Sequence, residues 1–217
     1  MLREKICSAA ADEIKDIIEG ELEGIKYLAK KEGIKDDPEW VEKTSSDYLS
    51  SIIERDIDVC ESGNAYRFSK HLSNRLVHII KELYPDKSVY SSGHFYYPPS
   101  GYMGWHTNYK EPDERLYLTF TNKGRQSFFR YKDGDNVVTD YDDNGLTVRR
   151  FSVSAKRPFM WHCVGSECDR VSIGFQLNKI TYKHKSPMAT YAIIKSEKVV
   201  DVVEWNGDTS MWQPPSG

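Results

Sequence analysis

The sequence has no apolar run approaching the ~18 residues that a membrane span requires. Its opening residues, Met1 to Asp16, lack the apolar core of a signal peptide. Both absences lead to the expectation of a cytoplasmic protein with no membrane partner. Cysteine is scarce: Cys7, Cys60, Cys163 and Cys168 are the four, and no pair has C-x-x-C spacing. Free thiols are therefore expected, and a thiolate zinc site is disfavoured. Neither charge sign dominates. With 30 basic and 33 acidic residues the net charge is −3, so no global positive field draws the chain onto nucleic acid or an anionic membrane. No internal repeat or low-complexity tract is present.

What is present is a globular composition: 217 residues, 39% hydrophobic and 12% aromatic, with 14 Tyr and 5 Trp. That length suits one domain with a helical extension and can bury a core without staples. The N-terminal part has helical spacing. Ile14, Ile17, Ile18, Leu22, Ile25 and Leu28 form a stripe over about Ser8 to Lys31, with Gly33 as the stop. A shorter helix is predicted from Ser45 to about Asp58. A third runs from about Ala65 to Leu83 and is ended by Pro85, which cannot continue the hydrogen-bond ladder.

The pattern changes near Lys87. Short segments rich in Tyr, Phe, Val and Thr are separated by Gly, Pro, Asp and Asn, the signature of a sandwich or barrel. Strands are predicted at Val89–Tyr97, Gly104–Asn108, Leu116–Thr121, Ser127–Tyr131, Val137–Asp140, Leu146–Val153, Pro158–His162 and Arg170–Leu177, with turns at Asp133-Gly134 and Asn144-Gly145. Ala189 to Trp205 reads as a final hairpin around Ser196-Glu197. The organisation expected is a helical support region over 1–86, a β core with its hairpin over 87–205, and a tail over 206–217.

Two segments carry chemistry. The first is Gly101-Tyr102-Met103-Gly104-Trp105-His106-Thr107-Asn108. His106 and Asn108 stand two apart, which on a strand aims both side chains to one face. The second contains Trp161-His162-Cys163 and then Arg170-Val171-Ser172-Ile173-Gly174-Phe175-Gln176-Leu177. There Val171, Ile173, Phe175 and Leu177 require a core, while Arg170, Ser172, Gly174 and Gln176 share the other face. If that face lines a barrel, Arg170 is a costly cation unless an anion meets it. A dicarboxylate would supply bidentate pairing, and Ser172 could donate to the same group.

The order His106…His162…Arg170-Val171-Ser172 resembles the 2-oxoglutarate/Fe(II)-dependent oxygenase superfamily, over about Val89 to Leu177. Within it the chain is similar to prolyl-hydroxylase-like proteins, including relatives in marine phages and bacteria. The resemblance implies an α+β fold with a double-stranded β-helix, a jelly roll of the cupin kind, braced by the N-terminal helices. It implies a dioxygenase in which His106, Asn108 and His162 hold Fe(II), and Arg170 and Ser172 hold 2-oxoglutarate. Tyr97, Tyr117 and Thr119 stand where the family often places polar groups near the cosubstrate, and Gly124-Arg125-Gln126-Ser127-Phe128-Phe129 is similar to a family strand. O2 would be consumed, yielding succinate and, for the usual family member, a hydroxylated small molecule or protein side chain.

One position departs from the pattern: Asn108 stands where the family has a carboxylate. An amide oxygen ligates without charge, so weaker metal affinity is expected. Three readings follow: Asn108 as a neutral ligand, a shell completed by Glu111, Asp113 or Glu114, or a barrel that is a binding module without turnover. A halogenase, in which a halide fills the vacancy, ranks lower because asparagine is bulkier than the residues found there. A nucleic-acid demethylase is the third alternative, and the acidic net charge argues against it. Trp105, Trp161 and Cys163 read as packing residues. Arg149-Arg150 and Lys156-Arg157 read as solvated strand ends.

Overall fold

The computed structural model describes residues 2–58, 62–179, 189–195 and 198–205. Leu2–Arg3 is a short strand, β1, and Ser8–Lys31 forms helix α1. Ile14, Ile18, Ile25 and Ala29 of α1 are buried, and lysines and glutamates occupy much of its other face. Two short helices follow, α2 (Trp40–Lys43) and α3 (Ser46–Ile52). The Ser45 hydroxyl caps α3 by accepting from the Tyr48 N–H at 3.1 Å, satisfying one of the orphan donors of a helix start. This helix is shorter than the sequence expectation. Strand β2 (Ser62–Gly63) follows; Tyr66 and Arg67, at the expected opening of the third helix, instead form strand β3 (Tyr66–Arg67), and helix α4 runs from His71 to Leu83. In β3, tertiary pairing overrides local propensity, because Tyr66 and Arg67 pair with Tyr96 and Phe95.

Eight longer strands make the barrel: β4 (Lys87–Tyr97), β5 (Gly101–His106), β6 (Glu114–Thr121), β7 (Ser127–Asp133), β8 (Asn136–Tyr141), β9 (Gly145–Ser152), β10 (His162–Ser166) and β11 (Arg170–Lys179). They form two antiparallel sheets. One has the order β1-β9-β6-β11-β4-β3 and the other β2-β5-β10-β7-β8. Apart from the β7–β8 hairpin, successive barrel strands alternate between the two sheets, which is a jelly-roll-like arrangement. The hairpin turns at Gly134, whose φ of +56° suits a residue without Cβ.

Two expected strands shift. β5 ends at His106, so Asn108 lies beyond it. The second histidine's strand begins at His162 and does not end there, consistent with Pro158 lacking a ladder donor. β11 is buried along most of its length. Its Val171, Ile173, Phe175 and Leu177 join Ile14, Ile18, Leu76 and Ile80 of α1 and α4 in one apolar cluster with Leu116 and Leu118. Each such side chain contributes about 1.5–3 kcal/mol when fully buried. Arg170 and Ser172 alternate to the opposite face.

The chain divides into two compact units, residues 1–179 and 180–217. In the second, β12 (Ala189–Lys195) and β13 (Lys198–Trp205) pair as an antiparallel hairpin. The expected turn at Ser196-Glu197 and the tail over 206–217 lie outside the described residues, as does Cys60. Cys7 and Cys168 are free thiols, and Cys163 is buried.

Candidate active site

His106 and His162 are direct partners in the β5–β10 register. Their ring centroids are 4.1 Å apart, and both side chains are buried. His106 Nδ1 donates to the Gly104 carbonyl at 2.9 Å, and His162 Nδ1 donates to the Met160 carbonyl at 2.8 Å. Each bond fixes the tautomer, placing the proton on Nδ1 and the lone pair on Nε2. Burial lowers the His106 pKa to about 4. Burial, then the neighbouring His106, lowers His162 well below its ordinary value. Both rings are thus neutral near pH 7, the form that ligates a metal.

Asn108 reaches the pair by a route different from the one its spacing suggested. It sits past the end of β5 with φ +54°. Asparagine tolerates this left-handed conformation better than most residues. Its backbone N–H donates to the Asp58 carbonyl at 2.6 Å, and the Asp58 carboxylate accepts from Lys110 N at 3.0 Å. The segment at residues 57–58 therefore clamps the 107–110 turn. As placed, the Asn108 amide Nδ2 donates to His162 Nε2 at 3.2 Å. A half-turn of the amide would present its oxygen instead.

None of the carboxylates proposed as substitutes joins the histidines. Glu114 pairs with Lys87 and Arg150, Glu111 with Arg115 and Gln176, and Asp113 accepts from Glu114 N. Among the described residues no cluster of three His, Cys, Asp or Glu could hold a metal. The donor set is two imidazoles and an amide. It suits a divalent cation with affinity for nitrogen, and it supplies no charge.

Deeper in the barrel lies a second cluster. Arg170 is fully buried. Its Nε donates to Asp142 Oδ2 at 3.0 Å and its Nη2 to the Thr119 hydroxyl at 3.4 Å, while the Tyr97 ring lies 5.2 Å from the guanidinium carbon. Ser172 stands opposite Thr119 in the β11–β6 register. Arg170 Nη1 is buried without a hydrogen-bond partner among the described residues. Asp142 also pairs with Arg149, so one buried carboxylate faces two buried guanidiniums. Burial alone would raise the Asp142 carboxyl, but Arg170 and Arg149 outweigh it and hold the pKa at about 2. Arg149 is thus an interior residue; the reading of it as a solvated strand end is corrected. β9 lies inside the six-stranded sheet, between β1 and β6, and turns Arg149 inward and Arg150 outward.

Aromatic side chains connect the two clusters. Phe129 stacks on His162 at 5.3 Å and 14°, and Phe151 lies 5.5 Å from the same ring. Tyr117 packs edge-on against Phe151 at 5.0 Å. Tyr117, His106 and Asn108 line a cavity of about 610 Å³ together with Arg115, Ser91 and Ser92, and Arg170 is not among its lining residues. Spacing arguments overlooked Asp58, Asp142 and Arg115. Arg115 had a visible signal: in Arg115-Leu116-Tyr117-Leu118-Thr119-Phe120-Thr121 the polar and aromatic-hydroxyl residues alternate with apolar ones, as they do around Arg170.

No protein-family model and no curated protein sequence matches this chain. Solved structures do. A 2OG-Fe(II) oxygenase family oxidoreductase from Burkholderia pseudomallei is 10% identical, with a TM-score of 0.35, over 48% of this chain. The match spans 50% of that protein's length. A Pseudomonas putida prolyl-4-hydroxylase is 10% identical over 76% of this chain and 88% of its own, with a TM-score of 0.44. A Trichoplax adhaerens prolyl hydroxylase, in complex with a hypoxia inducible factor oxygen degradation domain peptide fragment, is 9% identical over 82% of each chain, with a TM-score of 0.46.

Proposed function

We propose that this chain is a 2-oxoglutarate- and Fe(II)-dependent dioxygenase that hydroxylates a small molecule or protein side chain, of the prolyl-hydroxylase-like branch. The observation that carries the reading is the facing pair of buried, tautomer-fixed imidazoles, His106 and His162, with the Asn108 amide against Nε2. These three residues would hold the metal. The orphaned Nη1 of Arg170 supports a buried anion beside it, since an unpaired guanidinium N–H costs about 1–3 kcal/mol or more. Arg170, Ser172 and Thr119 would bind the distal carboxylate of 2-oxoglutarate, with Tyr97 beneath the guanidinium and Tyr117 between the two clusters. When bound, the iron and cosubstrate supply oxidising power through reductive activation of O2, with succinate and carbon dioxide as products.

The chain's own contribution is placement and exclusion of water. Gly104 and Met160 carbonyls orient the two rings. Phe129 and Phe151 dry the face of His162, where a low dielectric strengthens electrostatic contacts. The helices α1 and α4 brace the sheet that carries Arg170.

Anaerobic addition of Fe(II) and 2-oxoglutarate tests this directly. A visible charge-transfer band, followed by succinate when oxygen is admitted, is expected. Absence of both at high metal and cosubstrate concentrations would leave the binding-module reading, which the uncharged Asn108 favours. Arg170→Ala should raise the apparent 2-oxoglutarate constant and spare metal affinity; unchanged succinate kinetics would remove Arg170 from its assigned role.

A further inference from the structure

We propose that the cavity beside the imidazole pair is a recognition site for a carboxylate on a small-molecule ligand, with Ser91, Ser92 and Arg115 as its donors. Three residues that line this one cavity each carry a buried polar atom with no hydrogen-bond partner among the described residues: Ser91 Oγ, Ser92 Oγ and Arg115 Nε. Arg115 is only 3% exposed. Buried polar groups are ordinarily satisfied, so three donors left open on one wall mark a ligand's place. All three can donate, and one belongs to a permanent cation. The complement is an anion.

The backbone is shaped to present them. On a regular strand Ser91 and Ser92 would point to opposite faces. Here the β4–β11 register shifts between Ile173 and Phe175, so that β4 carries an extra residue, and both serines line the cavity. A bulge of this kind re-aims side chains. Opposite it, a Cβ on Gly174 would lie 2.7 Å from Ser92 Oγ and 2.9 Å from the Tyr117 ring, so glycine keeps this wall open.

The charge and geometry select a carboxylate. Glu111, whose side chain is 70% exposed, places Oε2 3.4 Å from Arg115 Nη2 and accepts from Gln176 Nε2 at 3.0 Å. This exposed carboxylate stands at the cavity's edge and competes for the cation that a ligand carboxylate would take. A monoanion replacing it leaves the local charge unchanged, whereas a dianion does not. Arg170 serves a different buried carboxylate, Asp142, and is not among the residues of this wall. The bound molecule would lie against His106 and Asn108. Calling it a substrate rests on the oxygenase reading above; its binding does not.

The test uses the full chain without metal, hippurate as the probe carboxylate and hippuramide as its uncharged counterpart, followed by saturation-transfer NMR titration. Hippurate should bind at millimolar concentration, with hippuramide at least about tenfold weaker, the scale of one charge-assisted hydrogen bond. Arg115→Gln should weaken hippurate by a similar factor. Glu111→Gln, an exposed change, should tighten it severalfold, and this variant decides the matter if Arg115→Gln fails to fold. Equal binding of the two probes, no binding of hippurate by the wild type, or no gain in Glu111→Gln would overturn the proposal. Failure of iron binding in a separate titration would leave a carboxylate-binding site without turnover.

Discussion

Asp142 is the carboxylate that two buried guanidiniums share, and Arg149 has Asp140 as a second partner at 2.7 Å. Asp142 faces Arg149 and Arg170, both fully buried, and accepts from Ser127 as well. Asp142→Asn removes the shared counter-charge and should cost about 3–5 kcal/mol, the usual consequence of breaking a buried ion pair from one side. Urea denaturation would measure it. The pH dependence has a definite sign. The carboxyl is held at about 2, below its ordinary 3.8, so its contribution is fully present above about pH 4 and is lost as pH falls towards 2. The stability gap between wild type and variant should therefore narrow from pH 7 to pH 3; a gap that widened would contradict the assignment. Asn108 governs charge at the other cluster. Asn108→Asp should tighten divalent-metal binding by about tenfold or more, because a carboxylate adds an anion where only neutral donors stand. Unchanged affinity by calorimetry would mean that this side chain does not ligate.

At the scale of elements, the bulge in β4 and the glycine opposite it act together. Gly174→Ala forces a Cβ against Ser92 and Tyr117 and should cost about 1–3 kcal/mol as an overpacked site. Thermal unfolding measures that cost, and a neutral outcome would show that the wall yields. The alternation of β11 was legible from the sequence, because one apolar face and one polar face on a single strand admit few placements. The same alternation in β6 held Arg115 in plain view, but no partner residue pointed to it. The positive φ at Asn108 was not legible: two-residue spacing implies a shared strand face only where the strand continues, and here β5 stops at His106. Arg149 differs from its expected place for a related reason, since a pair of arginines at a strand end reads as solvent-facing until a carboxylate from the loop after β8, Asp142, meets one of them.

For the whole molecule, the jelly-roll order converts distance in sequence into adjacency. β5 and β10 are neighbours in one sheet, so His106 and His162 become direct register partners. The order of helices, strands and turns was readable because hydrophobic period and turn residues change near Lys87. Which carboxylate meets which guanidinium was not, because Asp142 sits in the loop after β8 and meets Arg170 of β11 only where the folded sheets bring them together. A ligand that binds only the folded state stabilises it through mass action, by about 2.7 kcal/mol at a hundredfold excess over Kd. Saturating Fe(II) under anaerobic conditions should therefore raise the unfolding temperature of the wild type by several degrees. His106→Ala should show no such rise; an equal rise in that variant would place the metal elsewhere.

Anaerobic calorimetric titration of Fe(II) into the wild type and into His162→Ala is the most direct measurement of whether two imidazoles from different strands share one cation. One equivalent should bind the wild type, and the variant should lose at least about a hundredfold in affinity, the scale of losing one ligand from a small donor set. Iron binding that is identical in the two proteins would contradict it.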